Sequence, residues 1–182
     1  RCAPLFQQGI LDGRPHQLHA RERSNQMIVY HASYTEITAP DTSHSRKYLD
    51  FGPGFYVTII PEQAVKYAER FSRRGKDAWI NTYELSDDYS KRKVTKFEAY
   101  DERWLDYIMA CRSGDIPDDA DIIIGGIADD QIFRTVDLYF AGYISKQEAL
   151  KRLVYTKPNM QICIRSQAVI NDFLTFKSSK KL

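Results

Sequence analysis

No run of about eighteen apolar residues occurs anywhere in this 182-residue chain, so no transmembrane helix is expected and no membrane partner with it. Cysteine is scarce. Cys2, Cys111 and Cys163 are odd in number and widely spaced, which excludes a disulfide framework and a zinc site with paired ligands, and Cys163 reads as a small core hydrophobe. A surplus of one charge is missing too: 26 Lys and Arg stand against 24 Asp and Glu, a net charge of +2, so composition does not support nucleic-acid binding. There is no repeat and no Pro/Ser/Gly-rich linker, hence one domain with a sizeable core is expected. No charged-then-apolar leader opens the chain, so no signal peptide is read. Arg1 in first place fits a domain excised from a longer protein, which leaves localisation open.

What is present is an irregular alternation of strand and helix patterns. Residues 1–26 are a polar lead-in containing His16 and His19, residues 27–176 carry the domain, and Lys177-Ser178-Ser179-Lys180-Lys181 reads as a solvated, frayed basic tail over 177–182. Strands are expected near 27–32, 55–59, 79–85, 93–97, 121–127 and 159–164 from their apolar, β-branched or alternating character. Pro61-Glu62-Gln63 starts a helix whose inner face is Ala64, Tyr67, Ala68 and Phe71. Asp101 caps another with Trp104, Leu105, Ile108 and Met109 turned inward, Asp129-Asp130 precede a third, and the capping box Ser145 to Glu148 opens a fourth. Ala168 to Phe176 reads as a further strand or a short helix. This mixture predicts an α+β domain rather than a regular doubly wound sheet.

Two segments carry the chemistry. The run Asp50-Phe51-Gly52-Pro53-Gly54-Phe55-Tyr56 places two glycines, which allow a tight turn and close backbone approach to a ligand, directly before an aromatic strand. About twenty residues earlier, the buried strand Met27-Ile28-Val29-Tyr30-His31 delivers an imidazole at its end. Side by side, these strand ends would form half of a nucleotide pocket. A lone histidine there reads more simply as structural, Tyr56 and Tyr67 as core aromatics, Gln161 as an edge-strand polar residue and Asp129-Asp130 as a helix cap; their order together is what raises them.

In that order the chain resembles the ADP-ribosyltransferase superfamily, in its diphtheria-toxin and poly-ADP-ribose-polymerase branch. Tyr30-His31-Ala32-Ser33 is similar to the branch's first motif, Gly54-Phe55-Tyr56 to its second, and Tyr67 to the tyrosine one helix later. An uncharacterised bacterial family of the same clan shares the Asp-Phe-Gly-x-Gly-Phe-Tyr and Gln-Ala patterns, here with Gln63-Ala64, and the likeness extends through Asp121 to Gly125, Ala128-Asp129-Asp130 and Gln161-Ile162-Cys163.

The resemblance implies a split mixed β-sheet with flanking helices and an NAD cleft, NAD serving as substrate and no metal being needed. It implies that His31 donates to the adenosine-side ribose, that the backbone at Ala32 and the hydroxyl of Ser33 meet the nicotinamide carboxamide, and that Tyr56 and Tyr67 sandwich the nicotinamide ring. Gly52 and Gly54 would bring backbone to the ligand, Tyr48 would face the pocket, and Arg46 is a candidate for the pyrophosphate, as is Arg134, since a guanidinium fork suits phosphate oxygens. The third motif position departs from the branch: Gln161 stands where most active members carry Glu. An amide keeps a hydrogen bond and a dipole but lacks the charge that stabilises an oxocarbenium-like transition state, and Asp129 or Asp130 is the candidate replacement.

Polymer synthesis is therefore not expected. The expected activity is mono-ADP-ribosylation of a host protein side chain, a Thr or Ser hydroxyl and even ubiquitin being conceivable acceptors, by a bacterial toxin or effector domain. The alternatives are an NAD glycohydrolase and a catalytically silent module that binds NAD, ADP-ribose or a protein.

Overall fold

The computed structural model describes residues 25–126, 130–154 and 159–182, except for the side chains of Asp130 and Gln131. Among these described residues, seven strands form one mixed sheet. They are β1 (Gln26–Ser33), β2 (Phe55–Thr58), β3 (Trp79–Ser86), β4 (Val94–Lys96), β5 (Ile122–Gly126), β6 (Met160–Ile164) and β7 (Leu174–Lys181), in the spatial order β4-β5-β6-β2-β1-β3-β7. Only β4 and β5 run parallel; every other neighbouring pair is antiparallel. The helices are α1 (Pro61–Ser72), α2 (Glu102–Ser113), α3 (Asp130–Phe140), α4 (Lys146–Leu153) and α5 (Gln167–Phe173). The lead-in with His16 and His19 lies outside the described residues. The α+β class is as expected.

Local chemistry explains the helix ends. The Asp101 carboxylate accepts the Trp104 N–H at 2.9 Å, the Ser145 hydroxyl accepts that of Glu148 at 3.2 Å, and α2 stops at Gly114 with φ +94°. Ala64 and Ala68 are the buried stripe of α1, while Trp104, Leu105 and Ile108 are fully buried on α2. The spacing is as expected, but on α1 only Ala64 and Ala68 are fully inward: Phe71 is half-buried and Tyr67 is exposed, while on α2 Met109 is half-buried.

Alternation along the strands gives the sheet two distinct faces. On the first, Val29, Phe55, Val57, Tyr83, Leu85, Ile162 and Ile164 pack with Val169 and Ile170 of α5. On the second, Cys163 and Ile123 meet a cluster from α2, α3 and α4, while Ile80, Tyr30 and Ala32 receive Ala64 and Ala68 of α1. The segment between β1 and β2 is anchored over the first face: Asn81 Oδ1 accepts from the Ile37 N–H at 2.8 Å, Tyr83 donates to the Ile37 carbonyl at 2.6 Å, and Gln167 accepts from the Thr42 N–H at 3.1 Å.

The tail expectation is corrected. Leu174–Lys181 is not frayed but forms β7, registered with β3 from Trp79↔Lys181 to Leu85↔Leu174, because β3 would otherwise present an unpaired ladder at the sheet edge. Its lysines also find carboxylates, Lys177 with Glu84 at 2.9 Å and Lys181 with Asp77 at 2.7 Å. The segment with two readings resolves into both, a short helix followed by this strand.

Candidate active site

One seam in the sheet is much weaker than the others. β1 is registered with β3 along all eight of its residues, from Gln26↔Ser86 to Ser33↔Trp79, but with β2 only at Tyr30↔Thr58. β2 in turn is fully registered with β6. The sheet is thus nearly two sheets, β4-β5-β6-β2 and β1-β3-β7, joined at one residue pair.

His31 stands where the two halves part. Its Nδ1 lies 2.7 Å from the carbonyl oxygen of Tyr56, and its ring stacks on Phe55 with centroids 4.4 Å apart. A carbonyl only accepts, so Nδ1 carries the proton and Nε2 is left with its lone pair. Burial lowers the pKa of the imidazole against the opposing pull of that hydrogen bond. The ring is therefore neutral near pH 7 and offers an acceptor at Nε2, not the donor that the resemblance assigns to His31.

The other motif residues divide between the two faces. By alternation His31 shares the first face with Val29 and Phe55, whereas Tyr30, Thr58 and Gln161 line up on the second. Gln161, half-buried, pairs in register with Thr58 on one side and Gly125 on the other. That places it two strand spacings from Tyr30, about 10 Å. Tyr67 projects from α1, which covers the same second face, and keeps 41 % of its surface exposed, edge-on to Phe71 at 5.9 Å and beneath the Arg70 guanidinium at 5.1 Å.

Tyr56 also points to the second face, but its ring packs against the α2–α4 cluster instead of standing open. Its hydroxyl donates to the Gly52 carbonyl at 2.5 Å and accepts from the Phe51 N–H at 3.2 Å, and burial drives the phenol pKa far up. Tyr56 braces the turn; Tyr67 is the exposed ring of the two.

The glycines serve the fold more than a ligand. Gly52 has φ +73°, and a Cβ there would meet Ile116 Cδ1 at 2.9 Å; at Gly54 it would lie 2.5 Å from Cys163 Sγ and 2.8 Å from the Ile164 carbonyl. The close approach permitted at Gly54 is to β6, and at Gly52 to Ile116 beyond the end of α2. The Ser33 hydroxyl is likewise engaged internally, donating to the Thr35 carbonyl and accepting from Asn81 Nδ2 at 3.1 Å on the first face. Its expected contact with the carboxamide is replaced by this buried link. Ala32 pairs with Ile80 and packs with the α1 cluster.

Tyr48 is 67 % exposed, with its ring beside Gly114 at the end of α2, so it stands at that helix end and not among the seam residues. Arg46 and Arg134 are exposed, on the loop before β2 and on α3. Asp129 lies outside the described residues, and Asp130 is the first residue of α3. A surface depression of about 630 Å³ on the outer side of α2, lined by Asp101, Glu102, Arg103 and Asp106 among others, contains none of the motif residues.

Several supporting residues carried no signal of their own in the sequence. Arg165 donates to the Phe51 carbonyl from Nε at 3.1 Å and Nη2 at 2.8 Å, and to Asp118 from Nη1 at 2.9 Å. Arg112 pairs with Asp50 at 2.8 Å and with Asp137 at 2.7 Å. The Asp-Phe-Gly turn is thus held by two guanidinium forks. Each is assembled from residues far apart in the chain, which no local pattern reveals.

These features define an α+β domain built on a nearly divided mixed sheet, with a histidine at the division and an exposed tyrosine on the flanking helix. Residues 27–176 match the family described as protein of unknown function DUF3990, and the chain belongs to that family. No curated protein and no solved structure matches it.

Proposed function

We propose that the protein is an NAD-dependent mono-ADP-ribosyltransferase acting on a protein side chain, in the manner of a bacterial toxin or effector domain. The observation that carries this reading is the one-pair seam between β1 and β2 with neutral His31 at its mouth, since a dinucleotide lying along a divided sheet needs backbone and side chains from both halves. Tyr67 supports it as an exposed ring on the helix beside the seam, and Gln161 as a polar group on the adjoining strand. In the reaction the bond between the nicotinamide nitrogen and ribose C1′ breaks, nicotinamide leaves as a neutral ring, and an acceptor hydroxyl adds to C1′ while releasing its proton. His31 accepts a ribose hydroxyl from the first face where the seam parts, while from the second face Tyr67 stacks on the nicotinamide ring and Gln161 holds the nicotinamide-side ribose. Orientation of this kind supplies several kcal/mol of a dissociative barrier without a strong base.

Incubation of the full chain with tagged NAD and a cell lysate tests the reading. Labelled protein that disappears in His31→Ala and Tyr67→Ala supports it; undiminished labelling in both variants overturns it. Nicotinamide release without labelled protein would assign a glycohydrolase, and NAD binding without release a silent module.

A further inference from the structure

We infer that Gln63 reads the carboxamide of the nicotinamide ring, an assignment that rests on the ADP-ribosyltransferase reading above. The buried hydroxyl of Thr58, at the end of β2, donates to Gln63 Oε1 at 2.6 Å and accepts from the Ile60 N–H at 3.1 Å. The end of the strand and the first turn of α1 are thereby locked together. With one lone pair of its oxygen engaged by Thr58, the half-buried Gln63 is oriented with Nε2, carrying two N–H donors, on the other branch of the amide.

Position gives those donors a purpose. Gln63 and Tyr67 are four residues apart on α1, so their Cβ atoms lie roughly 5–6 Å apart on one helix face. Thr58 is registered with Tyr30 across the seam and with Gln161 on β6, which puts Gln63 over the same row. A pyridine ring stacked on Tyr67 therefore has a fixed amide donor one helical turn away, within reach of a carbonyl carried at its 3-position. Ser33, the hydroxyl that the family resemblance assigns to this task, is buried on the opposite face and engaged with Thr35 and Asn81. The Gln-Ala pair at the start of α1 thus acquires a role that its place in the sequence does not explain.

The test compares two inhibitors of NAD cleavage by the full chain: nicotinamide, and unsubstituted pyridine, which lacks the carboxamide. The wild type should prefer nicotinamide by about tenfold, the worth of one well-made hydrogen bond. In Gln63→Ala that preference should fall to near one, and in Thr58→Val, where the amide is no longer oriented, it should fall part of the way. Because the readout is a ratio, a general loss of folding or activity does not imitate it. An unchanged preference in a Gln63→Ala protein that still cleaves NAD overturns the assignment of Gln63 alone. A wild type that neither binds nor cleaves NAD overturns the transferase reading and this assignment with it.

Discussion

The imidazole of His31 and the carbonyl of Tyr56 meet at 2.7 Å across the seam where β1 and β2 diverge. A side chain here takes an acceptor that a continuing antiparallel ladder would satisfy with a backbone N–H. One bond thus fixes the histidine tautomer and closes the gap that the separation of the strands creates.

Burial of that imidazole, which outweighs the opposing effect of the bond, has a pH signature. The folded-state pKa of His31 lies below its ordinary value, so as pH falls through about 6.5 the unfolded chain takes up a proton that the folded protein refuses. Stability contributed by neutral His31 is present above that range and is lost as pH drops towards the lowered value. Thermal melts between pH 7.5 and about 5 should show a steeper decline for the wild type than for His31→Gln, whose amide does not titrate.

Tyrosines 56 and 67 should separate structure from ligand binding. Tyr56→Phe removes the hydroxyl that joins Gly52 and Phe51, costing about 1–2 kcal/mol in urea unfolding and leaving a folded protein. Tyr67→Ala, at an exposed position, should lower the unfolding free energy by less than about 0.5 kcal/mol yet abolish calorimetric binding of NAD.

Gly54→Ala should be among the most damaging single-methyl changes in the chain. The new Cβ would press on Cys163 Sγ and on the Ile164 carbonyl, forcing β2 and β6 apart at a cost of about 1–3 kcal/mol. Adding Cys163→Ala should restore only part of the loss, because the backbone oxygen remains; a double mutant as stable as wild type would refute this account.

Removing residues 177–182 should destabilise the domain instead of merely trimming a tail. It strips the pairs from Thr82↔Ser178 to Trp79↔Lys181 off β3 and leaves that stretch of β3 as the sheet edge. Faster hydrogen exchange over Trp79 to Thr82 in the truncated protein is the expected result.

Most elements were legible in the sequence because their signals are local. The alternation of Trp79 to Leu85, the Asp101 and Ser145 caps and the Ala64–Ala68 stripe each depend on neighbours within a few residues, and each appears where it was expected. The tail was misread as frayed for the same reason: Lys177, Lys180 and Lys181 are exposed, as read, but the β3 ladder that orders their backbone comes from a distant segment.

At the site the local reading reached the motif residues but not what their atoms do. Spacing singled out Asp50, Gly52, Gly54 and Tyr56 as a ligand turn, whereas Arg112, Arg165 and β6 claim most of their polar and packing capacity. Arg165 is 114 positions from the Phe51 carbonyl it holds, and Asn81 is 48 from the Ser33 hydroxyl it meets.

The sequence by itself determined the class of the domain, the identity of its strands and helices as far as β6, and the order His31, Tyr56, Tyr67, Gln161 along the chain, since hydrophobic period, caps and turns act over one or two turns of backbone. Only the tertiary structure decided that His31 and Tyr56 project to opposite faces, that β1 and β2 share a single registered pair, and that Thr58 orients Gln63. Those outcomes come from strand pairing and packing between distant segments, where the free energy is settled by which surfaces meet.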